Sequence, residues 1–69
     1  PIPYRLIGVV EEPGSSRRLA MLADARGLYQ GREGDIIEGR YRVVRIGTDS
    51  VEMTYLDGRG RQSIRLSGS

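Results

Sequence analysis

YQGREGDIIEGRYRVVRIGTDS, residues 29–50, is the stretch on which the fold turns. Its first half is charged and punctuated by Gly31, Gly34 and Gly39, and its second half alternates apolar and polar residues. Two readings compete: a glycine loop that cradles a ligand, or turns that reverse a small β fold. The cradle reading fails on spacing. The three glycines do not match GxGxxG, and no helix follows to present its N-terminus to a phosphate. A Walker loop also needs a lysine, and the chain has none. The turn reading fits. Gly34-Asp35 lets the chain reverse before Ile36-Ile37, carries Ile36 into a core, and lets Asp35 bond local backbone amides. Gly39 permits a second bend before Tyr41. The stretch then crosses from one sheet to another.

The rest of the chain has the same rhythm. Turn signals fall at Glu12-Pro13-Gly14-Ser15-Ser16, Asp24-Ala25-Arg26-Gly27, Gly47-Thr48-Asp49 and Asp57-Gly58-Arg59-Gly60. Short runs rich in Val, Ile, Tyr, Leu and Thr lie between them, which is the pattern of an all-β domain. Six strands are expected, over 4–11, 17–23, 27–30, 40–46, 50–56 and 62–66. The run RRLAMLA (residues 17–23) carries helix-favouring residues, but two turn signals about seven residues apart leave little room for a helix. Gly27 is expected at the left-handed position of a tight hairpin, and Asp57-Gly58-Arg59-Gly60 joins the last two strands. The fold class is all-β: a small sandwich or partly open barrel of about six short antiparallel strands. Its expected core is Leu6, Val10, Leu19, Met21, Leu28, Ile36, Val43, Val51, Met53, Ile64 and Leu66.

The first strand is the anomaly. Strict alternation puts Tyr4, Leu6 and Val10 on one face and leaves Ile7 and Val9 on the other, so both faces are apolar. Gly8 in its middle is the kind of residue that marks a bulge or a close backbone approach. An apolar outer face on a terminal strand is covered either within the domain or by a partner. An open edge can also accept another chain's strand.

Composition bounds the chemistry. The chain has 69 residues, enough for one small domain, with 11 basic residues, all arginine, and a net charge of +2. It has no cysteine and no histidine, which removes disulfides, thiolate metal sites and the commonest general base. No cofactor or metal is expected. The arginines are interspersed with acids rather than clustered, so nucleic-acid binding is not expected. No apolar run approaches the roughly 18 residues of a membrane span. The opening Pro1-Ile2-Pro3 reads as a linker remnant of a longer protein, residues 4–66 as the domain, and Ser67-Gly68-Ser69 as a polar tail.

Carboxylate pairs are the remaining catalytic candidates. Glu33 with Asp35, and Glu11 with Glu12, both sit in turns beside arginines, where solvation keeps carboxylates ordinary. Arg40 and Arg42 around Tyr41 could touch RNA as on a small barrel, but Glu33, Asp35 and Glu38 dilute the potential there. Tyr4, Tyr29, Tyr41 and Tyr55 are expected to pack at the core rim.

From Leu6 to Leu66 the order of these pieces resembles the PilP/GspC homology-region family of periplasmic β-domains. The matching pieces are Leu6-Ile7-Gly8-Val9-Val10, the run Leu19 to Ala23, Tyr29 to the Gly34-Asp35-Ile36-Ile37 turn, Tyr41-Arg42-Val43-Val44-Arg45-Ile46, and two last strands joined by Asp57-Gly58-Arg59-Gly60. The resemblance implies a non-enzymatic docking module of a type IV pilus or type II secretion machine. It implies a periplasmic domain tethered to the inner membrane, with the N-terminal periplasmic domain of the outer-membrane secretin as partner. Other inner-membrane components would be met through upstream sequence. The partner-binding residues it implies are Arg5, Ile7, Val9 and Glu11 on the first strand; contact from Ile7 and Val9 is expected to supply affinity, and Arg5, Arg17 and Glu11 to set register through rim charges. The alternative is an SH3-like barrel that binds RNA or protein in the cytoplasm.

Overall fold

The computed structural model describes residues 1–67; Gly68 and Ser69 of the expected tail lie outside the described residues. Among the described residues there is no helix. Seven strands occur: β1 (Arg5–Glu11), β2 (Arg18–Ala23), β3 (Leu28–Gly31), β4 (Ile36–Ile37), β5 (Tyr41–Ile46), β6 (Ser50–Tyr55) and β7 (Gln62–Arg65). The strand beyond the expected six is β4, the two-residue pair Ile36-Ile37. All strand ladders are antiparallel and form two sheets, in the orders β1-β2-β3 and β4-β5-β6-β7. The sheets face each other across one apolar core and do not close into a barrel. At one margin they touch through a parallel bridge between Leu6 and Leu66, with the Ser67 N–H donating to the Leu6 carbonyl at 2.8 Å.

The stretch that decides the fold is the crossing between sheets. Asp35 N–H bonds the Arg32 carbonyl at 3.0 Å, and Gly34 adopts φ 92°, a conformation that favours glycine. Asp35 Oδ2 accepts the Arg32 N–H at 2.9 Å, so the aspartate does bond local backbone. Gly31 lies at the crossing itself: a Cβ there would stand 2.9 Å from Ile37 Cδ1 and 3.3 Å from Val43 Cγ2. The second bend is a tight hairpin turn in which Glu38, Gly39 and Arg40 separate the paired residues Ile37 and Tyr41. Glu38 (φ 53°) and Gly39 (φ 66°) both lie in the left-handed region, and the Arg40 N–H reaches the Ile37 carbonyl at 3.1 Å.

Other turns follow from side chains. In the β2–β3 turn Asp24 Oδ1 accepts the N–H groups of Arg26 and Gly27. That turn is held by the aspartate, and Gly27 does not take the left-handed conformation expected of it.

The core contains Ile2, Tyr4, Leu6, Ala20, Leu22, Ile37, Val43, Ile46, Val51, Met53 and Ile64, with Leu66 packed against it. Several expected core residues are elsewhere: Val10, Leu28 and Ile36 are exposed, and Leu19 and Met21 are only half-buried. A bulge accounts for Val10, and a second one brings in Ile46, which was not among the expected core residues. In β1 the register with β2 jumps between Leu6 and Gly8, so Ile7 is an extra residue and every later side chain changes face. Val9 then packs against the core and Val10 turns out. In β5 the jump lies between Val43 and Arg45, which brings Ile46 onto the face of Val43. Within β2 the inward phase is Ala20 and Leu22, opposite Val9 and Leu6. Pro1-Ile2-Pro3, read as a linker remnant, contributes Ile2 to the core, and its N–H bonds Gln62 Oε1 at 3.1 Å.

Candidate docking surface

The bulge at Ile7 decides how β1 presents itself. Ile7 and Gly8 both face away from the core, and Val10 lies beyond them on the same side. Cross-strand pairing extends this outer face: Gly8 stands opposite Met21, Val10 opposite Leu19, and Ala23 opposite Leu28. The face is apolar and open, with Ile7 42%, Val10 49% and Leu28 70% exposed. Arg5, paired with Ala23, supplies a charge at its margin. A three-stranded sheet with one face on the core and the other carrying Ile7, Val10, Leu19, Met21 and Leu28 departs from the usual polar outer face of an antiparallel sheet.

The free edge of β1 is a second feature. The Glu12 N–H donates to the Arg17 carbonyl at 2.9 Å, so residue 12 bonds toward β2. Antiparallel ladders alternate, so Val10 also bonds toward β2, while Val9 and Glu11 turn their N–H and C=O groups to the edge. Beside that edge is a shallow hollow of about 230 Å³ lined by Val9, Glu11, Arg18 and Thr48.

The five residues singled out in the sequence are therefore not on one face. Arg5 and Ile7 belong to the outer face. Val9 points inward, half-buried against the core at the hollow beside the edge, and Glu11 is ion-paired with Arg18 at 3.4 Å. Arg17 sits in the β1–β2 loop, where its own N–H bonds Ser15 Oγ. The sequence reading missed Val10, Leu19, Met21 and Leu28 as surface residues. The signal available for them was Gly8, which marked the bulge, combined with the apolar character of RLAMLA in both phases.

Comparison with protein-family models, with curated proteins and with solved structures finds no match to this chain.

The carboxylates considered for acid–base chemistry all have partners. Glu33 Oε2 accepts the Ile46 N–H at 2.8 Å, and Glu12 holds Arg32 with two bonds, Nε at 2.8 Å and Nη2 at 3.1 Å. Arg32 holds the Glu12 carboxyl below its ordinary range. Among the described residues no cluster of His, Cys, Asp and Glu could hold a metal, and no helix is long and apolar enough to cross a membrane. The four tyrosines form a row, Tyr29–Tyr4–Tyr41–Tyr55, with ring centroids 5.5, 5.3 and 5.6 Å apart. Arg40 and Arg42 are exposed, but Tyr41 between them is edge-packed on Tyr4 and half-buried, which limits its face for stacking on a base.

Proposed function

We propose that this domain is a non-enzymatic docking module of the PilP/GspC homology-region kind. It works in the periplasm, in a type IV pilus or type II secretion machine, and links inner-membrane components to the N-terminal periplasmic domain of the secretin. The observation that carries the reading is the apolar outer face of β1–β2–β3, with Ile7 and Val10 exposed on a strand whose edge is also open at Val9 and Glu11. Burying Ile7, Val10, Leu19 and Met21 supplies affinity, backbone pairing at the edge supplies register, and Arg5 supplies a charge at the rim. A surface this small gives a weak complex for the isolated domain, on the order of micromolar.

An amide chemical-shift titration with the secretin N-terminal domain, at moderate and at high salt, tests this. Expected are shifts on Arg5 to Glu11 and on Leu19, Met21 and Leu28 that persist in salt. Absence of shifts overturns the reading and directs attention to single-stranded RNA. There, binding would be salt-sensitive and would depend on Arg40 and Arg42.

A further inference from the structure

Where the β1–β2 loop meets the β3–β4 turn, the structure forms an open groove of about 440 Å³ lined by Ser16, Arg17, Arg18, Arg32, Glu33 and Ile46. The Glu12–Arg32 pair pins the two connections together and fixes its outline. The hydrogen bonding around it is unbalanced. Glu33 is taken by the Ile46 N–H, and Glu12 by two donors of Arg32. Arg18 gives Nη1 to the Ile46 carbonyl at 3.3 Å, but its buried Nε lacks a hydrogen-bond acceptor. Glu11 lies 3.4 Å from that atom without the alignment of a bond. The Arg17 guanidinium has neither ion pair nor hydrogen bond among the described residues. An arginine carries five donors in a fixed fork suited to a carboxylate, and here two adjacent forks line one groove with their acceptors incomplete.

We propose that this groove is a carboxylate subsite that receives an acidic side chain of an extended peptide. A single carboxylate fits better than a polyanion. Glu11, Glu12 and Glu33 interrupt the positive potential within the same end of the molecule, so a chain of phosphates finds no continuous track. A peptide fits because Arg18 lines both this groove and the hollow beside the open edge at Val9 and Glu11. A segment lying along that edge brings its side chains to the groove. The subsite shares the open edge at Val9 and Glu11 with the secretin reading but uses neither Ile7 nor the outer face, so shifts at Ser16–Arg18 and shifts at Ile7 report on the two separately.

The test titrates the intact domain with the peptide Ac-Thr-Glu-Thr-Glu-Thr-NH2 at low salt. Its neutral counterpart Ac-Thr-Gln-Thr-Gln-Thr-NH2 and inorganic phosphate serve as controls. Expected are shifts confined to Ser16–Arg18, Arg32 and Glu33, including the Arg17 side-chain N–H, with the glutamine peptide binding about tenfold more weakly. The variant Arg17→Gln removes a side chain whose only interaction among the described residues is a longer-range attraction to the Glu12 carboxylate, so its spectrum stays folded while affinity for the glutamate peptide falls about tenfold. The subsite is overturned if both peptides bind alike, if Arg17→Gln binds like the wild type, or if phosphate produces the same shifts at the same concentration. Shifts spread over Arg40, Arg42 and Arg65 also overturn it.

Discussion

The Tyr4 hydroxyl donates a hydrogen bond to Oε1 of Glu38, 34 positions along the chain. The tyrosine is buried just ahead of β1 in one sheet, and the glutamate occupies the first left-handed position of the β4–β5 turn in the other. The bond therefore fastens the start of the chain to a turn that a non-glycine residue adopts at a cost. Tyr4→Phe keeps the edge packing on Tyr29 and Tyr41 and removes only the bond. Glu38 is exposed and regains water, so the expected loss is about 1 kcal/mol, the typical net value of a hydrogen bond. For a domain of this size that lowers Tm by roughly 4–8 °C. Urea and thermal unfolding measure it; equal stability would show that the bond is not held in solution.

The same bond sets a response to alkali. Burial first, and the Glu38 carboxylate second, push the Tyr4 phenol well above its ordinary value. A raised folded value favours the neutral phenol in the native state. Its contribution is thus complete below the unfolded pKa of about 10 and declines as pH rises beyond it. Stability should fall above that pH, with a shallower fall in Tyr4→Phe. Absorbance of tyrosinate should show Tyr4 ionising late; a phenol at position 4 titrating with its ordinary value would contradict its burial.

Two glycines separate packing from turn chemistry. At Gly31 an added methyl meets Ile37 and Val43 in the core, so Gly31→Ala should destabilise by about 1–3 kcal/mol. At Gly27 nothing lies within 4 Å and φ is not left-handed, so Gly27→Ala should be neutral or slightly stabilising. Chemical denaturation of the pair decides; a large loss at Gly27 would restore the left-handed turn that its place after Asp24-Ala25-Arg26 suggests.

The Glu12–Arg32 pair makes a smaller, acid-side prediction. Arg32 lowers the Glu12 carboxyl chiefly through its hydrogen bond, with Arg17 adding to the effect. A lowered folded value gives a contribution present above the ordinary carboxylate pKa, near about 4, and lost as pH falls through the depressed one. A carboxyl-carbon titration by NMR should find Glu12 below its ordinary value, and Arg32→Gln should return it. An unchanged Glu12 in that variant would assign the shift to other groups.

The fold class was legible because each reversal carries its own chemistry: Gly34-Asp35, Asp24 and Asp57-Gly58 each act where they stand. Facing was less legible, because it depends on pairing partners. RLAMLA is apolar in both phases, and only its register with β1 selects Ala20 and Leu22 for the core. Ile36-Ile37 gives no alternation from which to choose, and Val44 gives no hint of the bulge that turns Ile46 inward. Gly8 did give a hint in β1. Its consequence, that Ile7 and Val9 part company, follows only once the extra residue is placed. The apolar excess of β1 therefore pointed to the right strand, while Leu19, Met21 and Leu28 emerge as its neighbours only through the ladder.

That separation of Ile7 from Val9 gives the most discriminating pair of variants for the docking proposal. Ile7 is 42% exposed on the outer face, so Ile7→Asp places a charge in water and leaves the core intact. Val9 is half-buried and packs against the core, so Val9→Asp trades apolar packing for a carboxylate at the margin of the core and should lower stability by about 1–3 kcal/mol. If β1 and its outer face meet the secretin domain, Ile7→Asp weakens binding by tenfold or more while its unfolding curve overlays the wild type. Val9→Asp loses binding only as far as it loses fold. Arg5→Glu, at the margin of the same face, should act mainly on the association rate and its salt dependence. Calorimetry and denaturation on the three variants together separate the cases. Wild-type affinity in Ile7→Asp removes the outer face from the interface. Loss in a folded Val9→Asp with none in Ile7→Asp would move the contact to the edge, where the backbone of Val9 and Glu11 is open.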